Sequence, residues 1–115
     1  MDRKIQIHKN NMRDLTELRI VGRLDSSTAS VLSHALEEEV KAGHYKVVLN
    51  LLETDFLSSA AIRVLIQYYK ELRSKRGFLM VQPSDVVRST ITMVGLADLF
   101  SSPVQIDKKV TDIDI

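Results

Sequence analysis

Two adjacent hydroxyls, Ser58 and Ser59, stand between a short apolar run, Val47-Val48-Leu49-Asn50-Leu51, and an amphipathic stretch that opens at Ala60-Ala61-Ile62. The intervening Glu53-Thr54-Asp55 is acidic and polar and reads as a short loop. Serines at a loop-to-helix junction face the helix's unpaired N–H groups and the positive end of its dipole. Such a position suits a helix cap, because a serine oxygen can accept from a first-turn N–H. It equally suits an added phosphate, whose negative charge the same groups welcome.

Other chemistry is sparse. A serine hydrolase needs a base beside its nucleophile, yet no histidine lies near Ser58 or Ser59 in sequence, and the motif is not the G-x-S-x-G elbow. Four glycines are too few and too scattered for a phosphate-binding loop of either nucleotide type. His8, His34 and His44 fall on different elements without ligand spacing, and with no cysteine there is neither thiolate chemistry nor a disulfide. The expectation is a protein that is not an enzyme, with no catalytic residue, no metal and no cofactor.

The elements that must position the serines follow from pattern. Ile5 and Ile7 alternate with polar neighbours, and Leu15 to Gly22 reads as a second strand, with a turn at Asn10-Asn11. A helix opens at Asp25-Ser26-Ser27, carries Ala29, Leu32, Leu36 and Val40 on one side, and ends at Gly43. The run 47–51 has the length and continuity of a central strand covered on both faces. The next helix begins at Ser58 or Ser59 and runs to about Lys75, with an inward stripe of Ile62, Leu65, Ile66, Tyr69 and Leu72. Arg63, Gln67 and Lys70 then lie outward, while Val64 and Tyr68 flank the stripe as candidate partner anchors. Phe78-Leu79-Met80-Val81 is a further strand, and Pro83-Ser84-Asp85 opens a third helix with Val87, Ile91 and Val94 inward. Val94-Gly95-Leu96 fits a glycine-terminated C-cap with a hydrophobic latch, and residues 104–106 fit a last short strand.

The resulting order, β-β-α-β-α-β-α-β, is an α/β fold in one domain spanning 1–115. It implies a mixed sheet of four to five strands, an opening antiparallel pair followed by parallel crossovers, with helices mainly on one face. Sixteen basic and 15 acidic residues, well mixed to a net charge of +1, make no electrostatic case for nucleic acid. No apolar run approaches the ~18 residues of a membrane span, and no signal-peptide core follows Met1-Asp2-Arg3-Lys4. A cytoplasmic protein without membrane insertion is expected.

Taken together, several segments resemble the STAS domain family, whose best-understood members are bacterial anti-sigma factor antagonists. Gly22-Arg23-Leu24-Asp25-Ser26-Ser27-Thr28-Ala29 is similar to that family's G-x-L-D-x-x-T-A segment. Phe56-Leu57-Ser58-Ser59-Ala60-Ala61-Ile62 is similar to its F-x-D-S-S-G-L junction, and Val94-Gly95-Leu96 with Leu99-Phe100 to its G-L-x-x-x-F close. The likeness covers about residues 5–106, in order and at the right spacing.

The resemblance implies an interaction switch in transcription regulation. In the family, the first serine of D-S-S-G is phosphorylated by a partner kinase that is also the anti-sigma factor. That position falls on Ser59, with Ser58 as the alternative acceptor. The family's aspartate falls on Ser58, its second serine on Ala60 and its glycine on Ala61. The implied partner is an anti-sigma factor/serine kinase of the histidine-kinase-like ATPase class, joined by a serine phosphatase. The implied contact face takes Asp25, Ser26 and Thr28 from one junction and Asp55, Ser58 and Ala60 from the other. Arg63, Val64 and Gln67 extend it along the helix. A second function seen in the family is that of an accessory subunit of a lipid-transport ABC ATPase complex, which needs no phosphorylation.

Overall fold

The computed structural model describes residues 5–100. Its elements are β1 (Ile5–Asn11), β2 (Thr16–Leu24), α1 (Ser26–Lys41), β3 (Lys46–Leu57), α2 (Ser59–Ser74), β4 (Phe78–Pro83), α3 (Asp85–Met93) and a closing 3₁₀ turn, Ala97–Phe100. One sheet of order β1-β2-β3-β4 results, antiparallel between β1 and β2 and parallel thereafter. The expected strand over 104–106 lies outside the described residues.

Alternation along β2 decides which face is covered. Thr16, Leu18, Ile20 and Leu24 are buried, whereas Glu17, Arg19, Val21 and Arg23 point to the other face and stay at least partly exposed. Against the buried face pack Ala29, Leu32 and Leu36 of α1, Leu65 and Leu72 of α2, and Val87 and Ile91 of α3, in a single core. Each fully buried Leu or Ile contributes roughly 1.5–3 kcal/mol of transfer free energy. The opposite face is stitched by polar pairs, Arg19 to Glu53 at 2.9 Å and Asn50 to Glu17 at 3.0 Å.

Five expectations from the sequence are corrected. The β1–β2 turn lies at residues 12–15, closed by the Met12 N–H donating to the Leu15 carbonyl at 2.7 Å. Asn10 and Asn11 are still paired strand residues, because Asn11 Nδ2 donates to Thr16 Oγ1 across the ladder. Second, β3 has 12 residues rather than five, and the acidic stretch 53–55 is strand, not loop. Third, β3 is only partly covered on its second face: Val48 is buried there outside the core, but neighbouring Asn50 is half-exposed and paired with Glu17.

Fourth, the buried stripe of α2 is Ala61, Leu65, Tyr68 and Leu72, turned from the expected one. This helix packs on α1 as well as on the sheet, so Tyr68 sinks to 3% exposure with its hydroxyl 3.4 Å from Glu37, and Ile66 is left at the margin. Tyr68 is therefore no partner anchor. Fifth, Val94 is the C-cap of α3 and 49% exposed. The latch after it is as expected: Gly95 takes φ +77°, the Leu96 N–H donates to Ile91, and Leu96 packs on the core.

Candidate functional site

β2, β3 and β4 run parallel, so their carboxyl ends share one edge of the sheet, and each is followed by a helix whose N-cap stands there: Asp25, Ser58 and Ser84. The β3 strand reaches furthest. It pairs with β4 only as far as Leu51–Pro83, and of its remaining six residues Glu53, Thr54, Phe56 and Leu57 pair with β2 alone. Two register shifts lie in that extension, between Arg19 and Val21 and between Gly22 and Arg23. Each gives β3 an extra residue, and such bulges bend a strand and re-aim its side chains. Thr54 is thereby buried, donating to the Ile20 carbonyl at 2.9 Å, while Asp55 and Phe56 face solvent.

The extension delivers Ser58 beside the start of α1. Its N–H donates to the Leu24 carbonyl at 2.8 Å, so the segments Leu24-Asp25 and Leu57-Ser58 lie side by side. The Ser58 hydroxyl accepts from the Ala61 N–H at 3.1 Å and caps α2. Ser59 is the first residue inside the helix, exposed, with no side-chain partner among the described residues. Of the two serines, one is engaged by the fold and the other is presented to solvent.

Asp25 caps α1 through Oδ1, which accepts from the Ser27 N–H, the Thr28 N–H and the Ser27 hydroxyl at 3.0, 3.0 and 2.8 Å. The Ser27 hydroxyl and the Thr28 N–H, foremost among these donors, hold its carboxyl at about 2, below the ordinary 3.8. Thr28 completes a capping box: its oxygen accepts from the Asp25 N–H at 2.8 Å and its hydroxyl donates to the Arg23 carbonyl at 2.7 Å. Thr28 is buried, so its side chain holds the face from beneath rather than offering a contact.

Other expected contact residues divide the same way. Ser26, Asp55, Arg63 and Gln67 are exposed; Ala60 and Val64 are half-buried and pack on the core. Ser59, Arg63 and Gln67 are spaced by four and form one exposed ridge along α2. One feature of this edge escaped sequence reasoning. Arg23 stacks over the Phe56 ring at 4.3 Å, bringing a cation and a partly exposed aromatic to the open sheet face next to the serines. The bulges create that juxtaposition, and no spacing rule reveals it. Among the described residues no cluster of three or more His, Asp or Glu could hold a metal, and no helix is long and apolar enough to cross a membrane.

Comparison with known proteins gives this edge its context. The sequence model of the STAS domain family matches residues 4–113. BtrV of Bordetella bronchiseptica, named as an anti-sigma factor antagonist, is 32% identical over 80 residues, 69% of this chain and 69% of its own. An anti-sigma factor antagonist structure from Mycobacterium paratuberculosis matches with a TM-score of 0.74 at 23% identity, over 96% of this chain and 95% of that one. The Bacillus cell fate determinant SpoIIAA in its phosphorylated form matches with a TM-score of 0.67 at 16% identity, over 91% and 99% of the two chains. The two structural likenesses are likenesses of fold.

Proposed function

Because this chain belongs to the STAS domain family, and within it to the anti-sigma factor antagonist type, we propose that its carboxyl edge is a phosphorylation-controlled docking face. The free form binds an anti-sigma factor/serine kinase through Asp25, Ser26, Asp55, Ser58 and the ridge of Ser59, Arg63 and Gln67. Transfer of a phosphoryl group to Ser59 Oγ releases it, and a serine phosphatase restores the free form. The protein itself performs no chemistry.

The division of labour between the two serines carries this reading. Ser58 is tied into the N-cap of α2, whereas Ser59 is exposed and uncommitted at the helix's first position. Phosphate there adds about −1.5 to −2 charges and three acceptor oxygens. The helix terminus accommodates them, gaining ~0.3–1 kcal/mol from the dipole, and Arg63 one turn on can pair with them. The fold is thus left intact. A docked partner meets a different situation, because the new anion sits beside Asp25, already ionised at any pH above about 2. Desolvating that concentration of negative charge against a closely packed surface is costly, and the complex separates.

Affinity capture from the source cells, with mass spectrometry of bound partners and of the Ser58–Ser59 peptide, tests the reading. A serine kinase/anti-sigma factor held by the wild type and lost with Ser59→Asp is the expected result. A transporter ATPase recovered with an unmodified peptide would overturn it in favour of an accessory-subunit role.

A further inference from the structure

At the opposite pole, three connections far apart in sequence enclose a groove of about 440 Å³: the β1–β2 turn, the α1–β3 loop and the α2–β4 loop. That volume lies within the ~300–1,000 Å³ of small-molecule sites. Arg13, Lys46, Lys75 and Arg76 stand around it with His44, and the one acidic residue in the lining is Asp14. None of the four cations makes an ion pair among the described residues; Lys75 rests over the Tyr45 ring at 5.7 Å. The carboxylate of Glu39, behind His44, is already engaged by Lys9 and His44 and offers the groove no free counter-charge.

The backbone of Arg76 points the same way. It occupies the residue after the C-cap of α2, where the Gly77 N–H donates to Leu72 and the Arg76 N–H to Arg73. This position calls for a left-handed conformation and is ordinarily glycine. Arg76 adopts it at φ +65°, alone among the described non-glycine residues. The loop that carries it is fixed rather than loose: the Phe78 N–H donates to the Tyr45 carbonyl at 2.9 Å, and Gly77 lies so close to Tyr45 that a Cβ would clash. The cap geometry accounts for the positive φ, and the use of arginine where glycine is ordinary places a fixed guanidinium-bearing residue at the groove.

We infer that this groove binds a small, soluble anion carrying two or more phosphate groups, with Arg76 and Arg13 forking onto its oxygens and Lys46 and Lys75 balancing its charge. Guanidinium groups match phosphate oxygens in pairs, and unpaired cations around a walled concavity concentrate a compact polyanion. The surround offers little to insert into a lipid surface, Met12 being the exposed apolar side chain in the lining. The site lies at the far end of the molecule from Ser59 and does not depend on the switch proposed there.

The test is a titration of the full chain with inorganic pyrophosphate, followed by amide chemical shifts, on the wild type, Arg76→Gly and Arg88→Gln, the last an equal charge change on α3. Saturable shifts at Arg13, His44, Lys75 and Arg76 are expected, with Arg76→Gly weakening binding about tenfold and Arg88→Gln leaving it unchanged. Arg76→Gly should also raise the thermal midpoint by ~2–5 °C, since glycine relieves the left-handed strain, so weaker binding cannot be laid to unfolding. The inference fails if the shifts do not saturate, or if both variants weaken binding equally. Sedimentation with phosphatidylglycerol vesicles in the absence of a pyrophosphate site would also overturn it.

Discussion

The Ser58 N–H donates to the Leu24 carbonyl at 2.8 Å, and this one bond sets the starts of two helices side by side. It exists because β3 outruns β4 and follows β2 to its last residue, gaining two bulges on the way. A shorter β3 would leave Ser58 level with Ser84, which instead hydrogen-bonds the Thr54 carbonyl lower on the same edge. The acidic cap of α1 and the exposed serine of α2 therefore share a surface by virtue of strand length.

The two serines should separate cleanly by stability. Ser58→Ala removes the oxygen that accepts from Ala61 and should cost about 1 kcal/mol, within the ~0.5–2 kcal/mol of lost N-caps. Ser59→Ala removes a solvated hydroxyl from a helix and should stay within ~0.5 kcal/mol of wild type. Urea unfolding of both variants checks this. Equal losses would show that the cap is shared, and that Ser59 is not free for modification.

Acid titration should expose the Asp25 cap. Its folded-state value of about 2 lies below the ordinary 3.8, so the unfolded chain takes up the proton first as pH falls. The contribution to stability is complete above about pH 4 and disappears as pH drops through about 2. Asp25→Asn keeps a capping oxygen but not the charge. Thermal midpoints of wild type and Asp25→Asn should differ by a constant amount near neutrality and converge between pH 4 and 2. Curves that stay parallel to the acid limit would mean that the cap carries no charge-dependent stability.

Much of this architecture was legible in the sequence, because β2 alternates from Thr16 to Ile20 and each helix opens on a capping residue, Asp25, Ser58 or Ser84. What was not legible depends on partners remote in the chain. The Glu53-Thr54-Asp55 stretch looks like a loop until β2 supplies its ladder, and a bulge turns Thr54 inward to Ile20. The buried stripe of α2 departs from the simple periodic one because a single period assumes one neighbour, while Tyr68 answers to α1. The family-like serine could be located from its motif. Its freedom, by contrast with Ser58, needed hydrogen bonds. The basic groove draws on residues around positions 13, 45 and 76, and in the sequence its last two cations look like a solvated helix end.

Two glycines offer a controlled comparison. A Cβ on Gly77 would lie 1.8 Å from the Tyr45 carbonyl oxygen and 2.5 Å from its carbon, in backbone that the β3–β4 ladder holds in place. Gly77→Ala should therefore cost about 3 kcal/mol or more, at the upper end of overpacking. Gly43 sits at φ +82° with no atom within 4 Å of its added Cβ, so Gly43→Ala meets only the left-handed penalty of roughly 1 kcal/mol. Chemical denaturation of the pair measures the difference. Near-equal values would mean that the Tyr45–Gly77 approach is looser than it stands.

The far pole is pinned by a buried carboxylate. Glu39 is 1% exposed, with Lys9 Nζ at 2.9 Å on one oxygen and His44 Nδ1 at 2.8 Å on the other, tying β1 and the α1–β3 loop to the end of α1. Burial pushes its carboxyl up, but hydrogen bonds from Lys9, His44 and Thr16 outweigh that and hold it below the usual range. The sign follows: the stability Glu39 supplies is present above the ordinary carboxylate value and is lost as pH falls through its lowered one. Glu39→Gln keeps the shape but loses the charge and one acceptor, and should cost about 1–3 kcal/mol at neutral pH. Lys9→Met should cost less, because Lys9 is half-exposed and solvent already weakens its pairing. If Lys9→Met proves the more damaging of the two, the carboxylate depends on Lys9 alone, and His44 contributes nothing to the pin.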